Sequence, residues 1–336
     1  MLDAGKKTAT FTGLAFAIFV LLGNGFQPII NNARPGDLED LLFTFMTIVI
    51  ELTTILPVAF LEQKIARKPI RQIIGTRAAW KCHWLWFVAI GIIFAFSTYF
   101  IVIGLSSTDS ITGAVSLRTM PISAVVIGYF FLKEKITRYH IACIAVMCAA
   151  IFFVATKGTW QAGVISPGIV LLLIAPVLWS IGHALSKRML MDHDVTASQM
   201  IVIRTTISGS ILGIFYMIGT GGSSAWQIAE PTHFLFMFLM GANYTMLHYC
   251  WYRAIMHLDL NIATAISIPS PLITALLAAA FLGESLQWYH VVGIIVAFVA
   301  LYGLLLADVK KKRPLSSSGK TVESTRAVEE HKLNDK

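Results

Sequence analysis

Apolar and polar positions along this chain fall into long hydrophobic blocks joined by short polar connections. Ten blocks can be drawn, at about residues 11–30, 41–61, 84–105, 111–132, 139–156, 166–186, 199–219, 233–255, 262–282 and 289–307. Each approaches the roughly 20 apolar residues that a helix needs to cross a bilayer. The pattern predicts an all-α integral membrane protein with ten transmembrane helices. Prolines interrupt several blocks: Pro28, Pro57, Pro121, Pro176, and the pair Pro269 and Pro271 in an Ile-Pro-Ser-Pro run. Carbonyls freed by such breaks are tolerated at membrane depth where they line a cavity or lie buried in protein.

The blocks are not independent. Pro121, Phe131, Leu132, Glu134, Tyr139 and His140 recur 150 residues later as Pro271, Phe281, Leu282, Glu284, Tyr289 and His290. The match is gapless between PISAVVIGYFFLKEKITRYH and PLITALLAAAFLGESLQWYH, and extends to Tyr99/Tyr249 and Asp109/Asp259. Five blocks per half is odd, so two duplicated halves enter the membrane in opposite orientations, an inverted five-helix repeat. The halves are read as residues 1–156 and 157–309, followed by a polar tail at 310–336 expected to be disordered.

Charge adds orientation. The net charge of +8 would suit nucleic acid, but its placement argues for a membrane instead. Eighteen Lys and Arg flank alternate ends of the blocks, whereas the opposite loops hold Arg34 and Lys157. By the positive-inside rule both termini are cytoplasmic. Lys6 and Lys7 before the first block imitate a signal peptide, yet that block exceeds a signal h-region and is read as a retained span. The composition, 56% hydrophobic and 13% charged, leaves little chain for a soluble domain. Cys82, Cys143, Cys148 and Cys250 lack metal or redox spacing and read as free thiols.

On these residues the chain resembles the drug/metabolite transporter superfamily, in particular its EamA-like members. The resemblance rests on two five-span halves and on a Pro, an apolar helix and Phe-Leu-x-Glu closing each fourth span. It covers about residues 11–307. It implies a central cavity surrounded by spans 1–4 and 6–9, with spans 5 and 10 peripheral, and no cofactor. A basic residue common early in the family's second span is matched here only by Arg204 in span 7; span 2 carries Glu51 instead.

Ionisable residues inside a bilayer are site candidates by default. Glu51 lies mid-span, with Thr44, Thr47 and Thr54 on one narrow helical stripe. It is read as a carrier of a coupling proton, as a substrate ligand, or as half of a buried ion pair. Gln in its place is expected to fold, because a neutral amide is cheaper to bury; misfolding would favour the ion pair. Arg118 and Arg204 are the candidate partners, their forks suited to carboxylate or phosphate. Arg118 lies about 120° off the stripe of Thr112, Ser116, Thr119 and Ser123 on a regular helix. Arg204 is placed either at substrate or snorkelling to the surface. Trp179 with His183, and Tyr244 with His248 and Trp251, form helical faces suited to a flat or cationic group, or to packing. Asn24 and Gln27 are read as substrate contacts or as interhelical glue. Glu134 and Glu284 are read as structural.

Three function classes compete. No nucleotide-binding loop is present, and the cluster Asp192, His193 and Asp194 lacks catalytic partners, so an integral-membrane transferase is a remote alternative. A scaffold would not need buried Glu51, Arg118 and Arg204. The reading is a secondary transporter of a small molecule in the plasma membrane, working by alternating access with ion or proton coupling or by exchange. An amino-acid-like or amphipathic metabolite is one candidate substrate, and a nucleotide sugar or lipid-linked sugar is the alternative.

Overall fold

The computed structural model describes residues 2–65, 69, 72–120, 122–123, 137–191, 195–258 and 260–304. Among them every regular element is a helix. In chain order these are α1 (Leu2–Ala33), α2 (Asp40–Ile65), α3 (Arg77–Ser106), α4 (Ser110–Ser116), α5 (Arg138–Ala155), α6 (Pro167–Met191), α7 (Ala197–Thr220), α8 (Pro231–His257), α9 (Leu260–Ser267), α10 (Ser270–Leu277) and α11 (Trp288–Leu304). Seven described stretches are long and apolar enough to cross a membrane: α1 from Phe11, α2, α3 from Ala79, α5, α6 to Leu190, α7, and Ile262–Leu282 across α9 and α10. α11 is a shorter apolar helix.

The remaining expected spans differ from that set for identifiable reasons. The eighth is one continuous helix of 27 residues, but Asn243, Tyr244 and His248 along it dilute its apolarity. Of the fourth, 111–132, only the beginning is described: α4 and a 3₁₀ turn at Leu117–Thr119. Pro121, Phe131, Leu132 and Glu134, which carry the first copy of the repeated segment, lie outside the described residues. So do Asp259, the Asp192–His193–Asp194 cluster and the tail.

Local signals start the helices where the polar connections end. Thr76 caps α3 by accepting from the Ala79 N–H at 3.1 Å. Thr196 and Gln199 form a reciprocal capping box on α7. Gly221 closes α7 at φ +60°, a left-handed conformation that favours glycine.

Large apolar side chains face outward, and polar ones are buried within an otherwise apolar core. Ile18, Phe60, Leu61, Ile218, Phe281 and Val299 are exposed, whereas Gln27, Thr47, Glu51, Ser97 and Arg204 are buried. That arrangement suits a solvent of hydrocarbon and marks a multi-pass membrane protein. α1 packs along α8, α3 along α6, α2 against α7 and α8, and α3 against α7; α10 meets α1 and α4. Small residues permit the closest crossings, as expected where van der Waals packing drives association. A Cβ on Gly241 of α8 would sit 2.6 Å from Ile50 and 2.9 Å from the Thr47 carbonyl of α2. A Cβ on Gly104 of α3 would sit 2.8 Å from the Gly168 carbonyl of α6.

Candidate functional site

Two helix breaks shape the interior. In the fourth expected span the helix tightens at Leu117–Thr119, and Arg118 takes φ −80° and ψ 16°. Arg118 lies off the polar stripe, and it is Arg118 that lines the central cavity; Thr112, Ser116, Thr119 and Ser123 stand outside that lining. In the ninth, α9 ends at Ser267 and α10 begins at Ser270. Pro271 has no N–H to offer the carbonyl four residues earlier, which is that of Ser267. The Arg118 Nη1–H donates to this carbonyl at 3.4 Å. One break thus supplies the cation and the other the freed acceptor.

The cavity between these breaks is lined by α1, α6, α8, α9, the 3₁₀ turn and Leu301 of α11. It encloses about 610 Å³ with its open mouth included, of which about 50 Å³ admits the centre of a water. That is room for a few waters. Arg118, Trp179, His183, His248 and Trp251 form much of the wall, together with Asn24. Among its described lining residues there is no carboxylate, and Arg118 is the permanently charged group.

Behind that wall lies a buried ionic triad. Glu51 of α2 is 1% exposed and Arg204 of α7 is 2% exposed. The Arg204 Nη2 donates to Glu51 Oε1. His248 of α8 places Nδ1 2.8 Å from the same oxygen. The Arg204 guanidinium also lies over the ring of Phe94, 4.2 Å from its centre. Phe94 meets His183 and His248 edge-on, with ring centres 5.2 and 5.9 Å away. Hydrogen-bonded Ser208, one turn after Arg204, anchors α7 to the Gly91 carbonyl of α3 at 2.7 Å. His248 is therefore shared, held by Glu51 on one side and facing the cavity on the other.

The candidate residues separate into two groups. Asn24, Arg118, Trp179, His183 and His248 line the cavity, whereas Glu51, Thr47, Arg204 and Tyr244 stand behind it. Arg204 points inward to Glu51 rather than outward to a surface. The threonine stripe of α2 lies in a helix–helix seam: Thr44 bonds its own helix, and Thr54 meets Thr245 of α8. Tyr244 accepts from the Gln27 Nε2 at 2.8 Å, tying α8 to α1. Asn243 donates to the Gly23 carbonyl at 3.2 Å in the same seam.

Sequence reasoning missed Phe94 and Ser267. Phe94 sits in an unbroken aromatic-aliphatic block, and nothing local distinguishes it. Ser267 had a signal, its position four residues before Pro271. Several buried polar atoms here have no partner among the described residues: Arg118 Nε, Trp179 Nε1, Trp251 Nε1, His183 Nδ1 and His248 Nε2. Leaving such a group unsatisfied costs about 1–3 kcal/mol, so their concentration at one cavity calls for a functional explanation.

At the opposite end of α4 a second polar cluster is structural. The Ser110 N–H donates to both carboxylate oxygens of Glu284 at 3.1 Å, and its hydroxyl donates to Glu284 at 2.6 Å. Asp109 caps α4 through the Thr112 N–H at 2.8 Å, with His290 Nε2 3.3 Å away. Burial pushes the Asp109 carboxyl up, but His290 and the Thr112 donors outweigh it and hold it below the usual carboxylate range.

A helical membrane protein with a buried polar site between its helices fits a transporter, a receptor or an intramembrane enzyme. Sequence comparison sharpens this: the model of the EamA-like transporter family matches residues 11–156 and 166–306, and the chain belongs to that family. A relative in Clostridium kluyveri, described as an uncharacterized transporter, is 23% identical over 210 residues. That alignment takes in 61% of this chain and 66% of the relative, just under two thirds of its length. A protein of known crystal structure, 15% identical, superposes with a TM-score of 0.61 over 92% of this chain and 99% of its own. At that identity the likeness bears on the fold alone.

Proposed function

We propose that the protein is a secondary transporter that moves a small metabolite through the central cavity by alternating access. The observation that carries this reading is the triad: Glu51 comes from the first half, and Arg204 and His248 come from the second. A charged contact between halves, one residue behind a cavity wall, couples occupancy of the cavity to the packing of the halves. Substrate that engages His248 competes with Glu51 for the imidazole, and Glu51 then exchanges its partners or takes up a proton. Ion or proton coupling and exchange both follow from that competition.

Ten spans in two inverted halves is part of the same proposal, with both termini cytoplasmic and the chain in the plasma membrane. The helix pairings support it. Exchanging the halves converts α1·α8 into α6·α3 and α2·α8 into α7·α3, and both partners of each exchange are present. Reporter fusions after residues 160 and 225 should read external, and after 192 and 313 cytoplasmic; an external C-terminus would overturn the topology.

Transport is tested in proteoliposomes with a panel of radiolabelled amino-acid derivatives and organic acids, with and without an imposed pH gradient. Wild type should accumulate at least one of them. Glu51→Gln should slow uptake sharply or remove its pH response. Unchanged rates and pH response would reduce Glu51 to a structural role.

A further inference from the structure

The walls of the cavity carry an imbalance of hydrogen-bonding groups. Arg118 Nε–H, Trp179 Nε1–H and Trp251 Nε1–H are fixed donors, buried and without acceptors among the described residues. Indole and guanidinium nitrogens do not accept, so an acceptor oxygen, from water or from a ligand that displaces it, is what satisfies them. Among the described residues the cavity wall has no carboxylate, and Glu51 behind it is paired with Arg204. The described wall therefore presents one positive charge, that of Arg118, without a counter-charge. A second wall is aromatic: His183 lies 5.6 Å from Trp251 and 6.1 Å from Trp179, and Trp179 lies 5.9 Å from His248, centre to centre. Flat rings that share one cavity with a donor-rich cation suit an acceptor on a flat body.

We propose that this cavity binds a small monocarboxylate carried on an aromatic ring. The carboxylate is received by the Arg118 guanidinium and the Trp179 and Trp251 indole N–H groups, and the ring lies among His183, His248 and the indoles. This rests on the transport reading only in calling the ligand a substrate. A carboxylate matches the charge of the wall, one for one. A phosphate monoester carries about −1.5 to −2 charges at neutral pH and would leave the excess unpaired. A cation would face Arg118 without a counter-charge. The Arg118 fork suits a two-oxygen acceptor, and its existing bond to the Ser267 carbonyl holds the guanidinium in place while leaving Nε–H free.

The test is equilibrium binding to the full chain in lipid nanodiscs, read by tryptophan fluorescence and confirmed by calorimetry. The probes are phenylacetate, phenylacetamide, phenethylamine, cyclohexylacetate and phenyl phosphate. Phenylacetate should bind saturably, about tenfold or more tighter than its amide, the amine and the phosphate, as a charge-assisted bond to a buried guanidinium implies. Cyclohexylacetate should bind more weakly than phenylacetate. Arg118→Gln should erase the gap between acid and amide, and Arg118→Lys should keep part of it. Equal binding of acid and amide by wild type, or no binding of phenylacetate, would overturn the proposal without any variant. So would a folded Arg118→Gln protein that keeps the preference. Counterflow of labelled phenylacetate in proteoliposomes separates the two readings. Selective binding without flux would sink transport and keep this site; flux of phenethylamine without acid binding would do the reverse.

Discussion

Replacing Glu51 by Gln gives the sharpest test of how the interior is held together. In the folded protein the carboxylate takes hydrogen bonds from Arg204 and contacts His248, and all three groups are buried. The amide keeps the shape and one acceptor oxygen but removes the negative charge. Arg204 is then left as a buried cation with the Phe94 ring as its main remaining partner. Breaking a buried ion pair from one side costs about 3–5 kcal/mol, which for a chain of this size corresponds to a fall in melting temperature on the order of 10 °C. From composition alone the amide looked cheaper to bury than the carboxylate; the guanidinium beside it reverses that expectation. Arg204→Gln should cost a similar amount by stranding the carboxylate. The double variant Glu51→Gln/Arg204→Gln should be more stable than either single one, because two neutral amides replace two charges. Thermal unfolding in detergent micelles, followed by far-ultraviolet circular dichroism, measures all four proteins. Single variants within about 0.5 kcal/mol of wild type, or a double variant whose loss equals the sum of the singles, would refute the argument. The double variant also serves as the folded comparison for the transport assay.

Two further outcomes follow from the packing and from the α4 cap. Gly241→Leu drives a side chain into Ile50 and the Thr47 carbonyl, so it should destabilise by about 1–3 kcal/mol or more and displace Glu51 on the adjacent turn of α2; a melting temperature equal to wild type would show that α2 and α8 are not tightly apposed. Asp109 has its carboxyl held low in the folded state, so its contribution is present above the ordinary carboxylate range and is lost as pH falls through the folded value. Wild type should therefore lose stability on acidification below about pH 4, and Asp109→Ala should be less stable by about 1 kcal/mol at neutral pH with a flatter acid limb; parallel acid limbs for the two proteins would count against the cap.

Much of this protein was legible in the linear chain because bilayer burial is a local sum. A helix must be apolar over its whole length to cross hydrocarbon, so the blocks, the membrane class and the family resemblance all follow from residue order. The odd residues inside those blocks stood out for the same reason: Glu51, Arg118 and Arg204 are costly wherever they sit in a span. What they face is a different kind of fact. The partnership of Glu51 with Arg204 and His248 joins positions 153 and 197 residues apart, and it depends on how α2, α7 and α8 are rotated and crossed. Hydropathy is blind to that rotation, which also sets the threonine stripe of α2 in a seam against α8. Arg118 shows the limit most plainly. Helical periodicity set it off the polar stripe, yet it is Arg118 and not that stripe that lines the cavity. Phe94 was invisible because an aromatic residue in an apolar span is ordinary until three other helices set Arg204, His183 and His248 around it. The chain determines which groups must be satisfied inside the membrane, since each one carries its desolvation cost locally. The tertiary structure decides which group satisfies which, because that choice is a matter of crossing angles, helix breaks and the few glycines that let backbones approach.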